Sequence, residues 1–313
     1  MIGTVYKSTG SWYWVKHNKT LYKCRIKGKF RIKQIKSTNP IAVGDRVVFE
    51  LETKADSKIG FITTIKNRKN YIVRKSVNLS KQTHIIASNI DQVFLLITIN
   101  KPRTLTTFID RFLATAEAYS IRVFLVFNKF DTYKVEEKAE VLQLKNIYKA
   151  IGYTCLEVSA LKRKNINAVK QLMLGKTSMF AGHSGVGKTT LINAIEPELN
   201  LKTKQISEYH KQGKHTTTFV EMFDLSCGAK IIDTPGIKGF GLVDINKSEL
   251  ADYFCEFFAL KQYCKFHNCM HVNEPQCAVK NALINKKIAQ SRYKSYLQIL
   301  DGEQENYRVD IWK

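Results

Sequence analysis

The chain of 313 residues is long enough for two or three domains with sizeable cores, yet no apolar run in it approaches the roughly 20 residues that span a bilayer. Its formal net charge of +23 calls for a polyanionic partner or a solubilising surface, without choosing between nucleic acid and anionic lipid. The opening Met1–Lys7 lacks a signal-peptide pattern, and seven cysteines without an export signal suit a reducing cytoplasm.

The first 70 residues hold sixteen lysines and arginines against Asp45, Glu50, Glu52 and Asp56. Apolar residues recur there with a period of two, so strands are expected at Ile2–Lys7, Ser11–Lys16, Leu21–Gln34, Asp45–Glu52 and Ile59–Asn67. Five short strands in residues 1–69 imply a small β-barrel of the oligonucleotide-binding (OB) type. Lys23, Arg25, Lys27, Lys29, Arg31 and Lys33 alternate with Tyr22, Cys24, Ile26, Gly28, Phe30 and Ile32, which makes one face basic and the other apolar. Charge of one sign at this density is relieved by a phosphate backbone, so the barrel is expected to bind RNA; a solvated face is the plainer alternative. Trp12, Tyr13, Trp14 and Tyr22 are candidates to stack bases or to fill the barrel core.

From residue 70 to 242, strands alternate with helices, as in a doubly wound parallel sheet. Strands are expected at Ile90–Ile99, Ile121–Phe127 and Thr177–Ala181, and helices at Thr107–Tyr119, Val135–Ile151 and Asn165–Leu174. Asn128-Lys-Phe-Asp131 closes the second strand and suits a guanine base, because the Asp131 carboxylate can accept two N–H bonds from the ring edge; Asn128 and Lys129 complete the motif. Val158-Ser159-Ala160 can supply the loop that packs on that base. Gly182-His183-Ser184-Gly185-Val186-Gly187-Lys188-Thr189, followed by Thr190, is a phosphate-binding loop between strand and helix. Its amides cradle phosphates, Lys188 reaches the outer ones and the Thr189 hydroxyl holds magnesium. Gly213–Thr218 is a first-switch candidate, with Thr217 taken as the magnesium ligand and Thr216 and Thr218 as the alternatives. Asp233-Thr-Pro-Gly236 supplies a carboxylate for magnesium, Asp233, directly or through water, and Gly236 as a nucleotide-binding residue. In an ordinary small GTPase the base-reading motif follows the phosphate loop; here it precedes it. The domain reads as a circularly permuted α/β P-loop GTPase.

Residues 243–313 form the third unit. Cys264, Cys269, His271 and Cys277 are separated by four, one and five residues, and three thiolates plus an imidazole make a closed tetrahedral shell for one structural zinc ion. His267 is a substitute ligand, and Cys255 is expected to pack within the amphipathic run Ser248–Leu260. Helices at Ala278–Gln290 and Ser291–Leu300 complete a helical zinc-binding module.

Barrel, permuted GTPase and Cys-Cys-His-Cys module together resemble ribosome small subunit-dependent GTPases, the bacterial RsgA family, over essentially the whole chain. The resemblance implies GTP hydrolysis stimulated by the small ribosomal subunit during its late maturation, binding to rRNA, and release after hydrolysis. It implies no membrane partner, and nothing suggests a dimer seam, so a cytoplasmic monomer is expected. Ile237 stands after Gly236 where many GTPases carry a water-orienting glutamine, so intrinsic hydrolysis should be slow. His215 is the candidate to orient water, a role that the resemblance also favours; packing or RNA contact is the other reading of this residue. The competing function is an RNA-binding assembly protein that holds GTP as a structural ligand with negligible turnover.

Overall fold

The computed structural model describes residues 1–27, 40–52, 59–75, 83–201, 220–233 and 246–302. Five strands open the chain: β1 (Ile2–Ser8), β2 (Tyr13–His17), β3 (Thr20–Ile26), β4 (Arg46–Leu51) and β5 (Ile59–Ile65). Each of β1–β2, β2–β3, β5–β4 and β4–β1 is antiparallel and β3–β5 is parallel, which closes a five-stranded barrel as expected. Val5, Tyr13, Val15, Cys24, Val47, Phe49 and Ile62 fill it. Along β3 the expected alternation holds: Lys23 and Arg25 are exposed, whereas Cys24 is buried. Lys29, Arg31 and Lys33 lie outside the described residues.

A hairpin of β6 (Tyr71–Lys75) and β7 (Thr83–Ser88), which the sequence pattern does not announce, links the barrel to the next unit. Its anchor is a buried carboxylate. Asp45 accepts two bonds from Arg68 at 2.6 Å and one from the Ser88 hydroxyl at 2.6 Å, so barrel and hairpin share one ion pair.

The central sheet comprises β8 (Gln92–Ile97), β9 (Arg122–Phe127), β10 (Thr154–Glu157), β11 (Thr177–Ala181), β12 (Glu221–Asp224) and β13 (Lys230–Asp233), in the order β10–β9–β8–β11–β13–β12. All neighbours are parallel except β12, a short polar strand that escapes sequence periodicity. β8 is buried at every position, as a strand covered on both faces must be. On one face lie α1 (Thr106–Ala118) and α2 (Val135–Ala150), contributing Phe108, Phe112, Leu113, Val141 and Tyr148. On the other lie α3 (Ile166–Met173) and α4 (Lys188–Ile195), contributing Val169, Met173, Leu191 and Ile192. β12 also reaches back to β1, with Lys7 opposite Glu221, while Asp224 pairs with Lys16 and Lys230.

The C-terminal module starts with a 3-10 helix, Lys247–Tyr253, followed by α5 (Cys255–Lys261), α6 (Ala278–Ile284) and α7 (Gln290–Asp301). The expected single run Ser248–Leu260 is therefore broken at Phe254. Its extended backbone (φ −104, ψ 103) sends a fully buried ring against Phe257, Tyr296 and the Arg292 guanidinium. α6 stops well short of the expected Gln290, because Lys286 turns the chain through the left-handed region at φ 57. The module docks on α1 through Arg292, which donates to Asp110 at 2.8 Å and to Glu256 at 2.7 and 2.9 Å, and is 1% exposed. Among the described residues, no helix is long and apolar enough to cross a membrane.

Candidate functional site

Parallel pairing brings the motifs to one sheet edge. Phe180 lies opposite Asp233, so the strand feeding the phosphate loop and the strand carrying the carboxylate end side by side. β8 flanks β11 on its other side and β9 follows, which places Asn128 one strand further along the same carboxyl edge. A permuted chain thus recovers the site because strand adjacency, and not chain order, sets the geometry.

The loop Gly182–Lys188 needs its glycines. Gly187 caps α4 at φ 96, and a Cβ there would lie 2.5 Å from the Asn128 side-chain nitrogen; one at Gly182 (φ 139) would lie 2.7 Å from the Leu96 carbonyl. Ser184 and Gly185 are exposed, while Val186 is buried. Lys188 folds back, its Nζ donating to the carbonyls of Gly182 at 2.7 Å and His183 at 2.9 Å. Burial pulls its ammonium down to about 8, opposed in part by the Asp233 carboxylate. Thr189 and Thr190 lie in the first turn of α4, where free amides and the helix dipole favour an anion. The His183 ring packs on α1, with its centroid 3.9 Å from that of Phe108, and burial, then the nearby Lys188 charge, keep the imidazole's pKa low.

Asn128 acts as a clamp. Its side chain donates to the Val186 carbonyl at 2.8 Å and accepts from the Ala160 amide at 3.1 Å, joining the phosphate loop to the base-support loop. Ser159 is buried, with its hydroxyl accepting from the Lys162 amide at 3.0 Å. Lys129 sits at φ 60 with Nζ on the Lys101 carbonyl at 2.6 Å, and its pKa is lowered by burial. Asp131 is exposed in the short turn Phe130–Thr132, free to meet a ligand edge. Asn128, Lys129, Ser159, Ala160, Gly182–Thr190 and Asp233 therefore gather at one edge. His215, Thr217 and Gly236 lie outside the described residues, as do Thr216, Thr218 and Ile237. The motifs pass over Tyr133, whose buried hydroxyl donates to the Asn128 carbonyl at 2.6 Å.

The second cluster is compact. The ligand atoms of Cys264, Cys269, His271 and Cys277 all lie within 4.8 Å of one another, and the group could hold a metal ion. His271 Nδ1 stands 3.4 Å from the Cys277 sulfur and 3.6 Å from that of Cys264. Burial, and then crowding by Cys277 and Cys264, push the Cys269 thiol up to about 12. A coordinated cation reverses that order, since it holds thiols deprotonated. The surrounding shell fits a metal: Tyr293 and Tyr296 donate to the carbonyls of His271 and Met270 at 2.7 Å each, and Glu274 accepts from the amides of Met270, Val272 and Asn273. His267 is exposed and stands outside the cluster. Cys255 packs as expected, half-buried, with its sulfur 3.5 Å from the Tyr153 hydroxyl.

The barrel's basic face sorts its aromatic residues. Trp12 lies under Lys23 (4.2 Å to the ring centroid) and Arg25 (3.9 Å), and Trp14 lies under Lys7 (5.8 Å). Tyr13 instead fills the core at 1% exposed, and Tyr22 packs on Phe49 with centroids 5.4 Å apart. Of the four base-stacking candidates, Tyr13 is thus a core residue and Tyr22 is packed, half-buried, against the core, because odd and even positions of β2 and β3 face opposite ways.

Comparison with known proteins agrees with this architecture. Residues 2–60 match the RsgA N-terminal domain and residues 65–243 match the RsgA GTPase. The small ribosomal subunit biogenesis GTPase RsgA of Christiangramia forsetii is 66% identical over 100% of both chains. That of Flavobacterium johnsoniae is 63% identical, covering 100% of this chain and 96% of its own. Among solved structures, YjeQ from Thermotoga maritima superposes with a TM-score of 0.78 at 33% identity, covering 96% of this chain and 97% of that one. YloQ, a circularly permuted GTPase, gives 0.73 at 28% identity, with coverage of 96% and 94%. With full-length identity this high and both the barrel and the central unit matched by family models, the chain belongs to the RsgA GTPase family.

Proposed function

We propose that this protein is a GTP-hydrolysing assembly factor that acts in late maturation of the small ribosomal subunit, binds its rRNA and leaves on hydrolysis. The observation that carries the proposal is the Asn128 clamp, which holds the base-reading turn, the base-support loop and the phosphate loop in one hydrogen-bonded unit. Asp131 accepts the two N–H bonds of guanine, Lys129 lies along the base, and Ser159 and Ala160 cover it. Amides from Gly182 to Thr190 take the phosphates, and Lys188 swings from the Gly182 and His183 carbonyls onto the outer ones. Thr189, Asp233 and Thr217 would hold the magnesium ion that accompanies GTP, which would supply positive charge to the phosphate oxygens. His215 orients the attacking water and Gly236 contributes to nucleotide binding. With Ile237 unable to align water, the ribosomal subunit completes the site and turnover alone is slow.

Residues 1–69, 70–242 and 243–313 divide the work as RNA-binding barrel, nucleotide switch and zinc-pinned helical module. Zinc suits the sulfur-rich closed donor set of Cys264, Cys269, His271 and Cys277, and leaves no position for substrate. The Trp12–Lys23–Arg25 face supplies stacking and phosphate contacts to rRNA. The protein works as a cytoplasmic monomer. Cosedimentation with purified small subunits tests the nucleotide control: binding with a non-hydrolysable GTP analogue and loss with GDP are expected, and equal binding in both would refute it.

A further inference from the structure

One phenol ties two segments of the nucleotide edge together, and Asn128 ties in two more. The Tyr133 hydroxyl donates to the Asn128 carbonyl at 2.6 Å and accepts from the Ile99 amide at 3.3 Å. The same Asn128 clamps Val186 and Ala160 through its side chain. Tyr133 is 4% exposed, and its ring meets Phe130 edge-on with centroids 5.9 Å apart, so the residue carrying the hydroxyl is itself fixed by packing. The turn it supports is unusual: Lys129 lies in the left-handed region at φ 60, a conformation that a lysine does not hold by its own preference. The Phe130 amide is bonded to the Val158 carbonyl at 3.1 Å, which leaves the Asn128 carbonyl as the other end of the turn to be held.

We propose that Tyr133 is a positioning residue for guanine selection: its hydroxyl fixes the turn Asn128–Asp131 in the one geometry in which the Asp131 carboxylate meets the base edge. It touches no part of the nucleotide. Removing the hydroxyl leaves two buried backbone groups, the Ile99 N–H and the Asn128 C=O, without this partner, so the turn samples other geometries and the competent fraction falls. The loss falls on the Asp131 contact, because the phosphate loop keeps its own support from β11 and α4. The proposal rests on the assignment of Asn128–Asp131 as the base-reading motif.

The test compares binding of GTP and of inosine triphosphate, which lacks the amino group that Asp131 reads, to the wild type and to Tyr133→Phe. That variant keeps the ring packing and drops only the oxygen. GTP affinity should fall about fivefold to twentyfold, and inosine triphosphate should lose much less. A purely structural tyrosine would weaken both nucleotides equally or neither, and either result overturns the proposal. Asp131→Asn tests the underlying assignment separately. If it gains binding of xanthosine triphosphate while Tyr133→Phe keeps full GTP preference, only the positioning role falls. If it gains none, the base assignment and the proposal fall together.

Discussion

Arg292→Met removes the guanidinium that docks the C-terminal module on α1. Arg292 makes three charge-assisted bonds of 2.7–2.9 Å, to Glu256 and Asp110, at 1% exposure. Methionine fills much the same volume, so the loss is electrostatic. Asp110, fully buried, keeps the Tyr148 hydroxyl at 2.8 Å but has no remaining cation among the described ion pairs, and Glu256 loses its fork partner. An uncompensated buried carboxylate costs about 3–5 kcal/mol, a large part of the roughly 5–15 kcal/mol that holds a domain folded. Urea unfolding followed by circular dichroism, with hydrogen exchange on α1 and α7, should show the C-terminal module opening first. Asp110→Asn added to Arg292→Met should return part of the loss, since it removes one of the stranded charges; a coupling of about 0.5–3 kcal/mol is expected. A single-variant loss below about 1 kcal/mol, or strict additivity, would refute this account of the docking.

Three further outcomes follow from the site. Gly187→Ala places a methyl 2.5 Å from the Asn128 amide at φ 96, so GTP and GDP affinity should drop by about tenfold or more in a fluorescent-nucleotide titration. Lys188 has its pKa lowered to about 8 and recovers its charge beside phosphates, so binding should take up a proton above that pH and little below it. Calorimetry at about pH 7 and pH 8.5 in buffers of differing ionisation enthalpy reads the proton directly, and affinity should weaken as pH rises. A strong chelator should release one zinc ion per chain by native mass spectrometry and make Cys264, Cys269 and Cys277 reactive to maleimide, with exchange rising in α6 while the central sheet stays protected.

Much of the fold is legible because its signals are local. Period-two alternation in β3 sets which side chains leave the barrel, and unbroken apolar runs such as Val93–Ile97 read as strands buried on both faces. The phosphate loop and the base-reading turn are legible from spacing, since glycine at left-handed positions and a helix start are dictated by backbone sterics. Other features depend on distant partners. Glu221–Asp224 forms a strand only because β13 and β1 flank it, and Phe254 breaks a helix only because a core waits for its ring. Arg292 looks like a surface arginine until Asp110, 182 residues away, comes into view. Tyr133 carries no spacing signal at all; its significance is a hydroxyl meeting two backbone groups.

In the proposed function, the small ribosomal subunit completes a GTPase site in which Ile237 stands where a water-orienting side chain is usual. Steady-state GTP hydrolysis by the zinc-loaded protein, alone and with purified small or large subunits, tests it most directly. Slow turnover alone, a large stimulation by small subunits and none by large ones are expected. Tight GTP binding with no stimulation by small subunits would contradict it and leave GTP as a structural ligand of an RNA-binding protein.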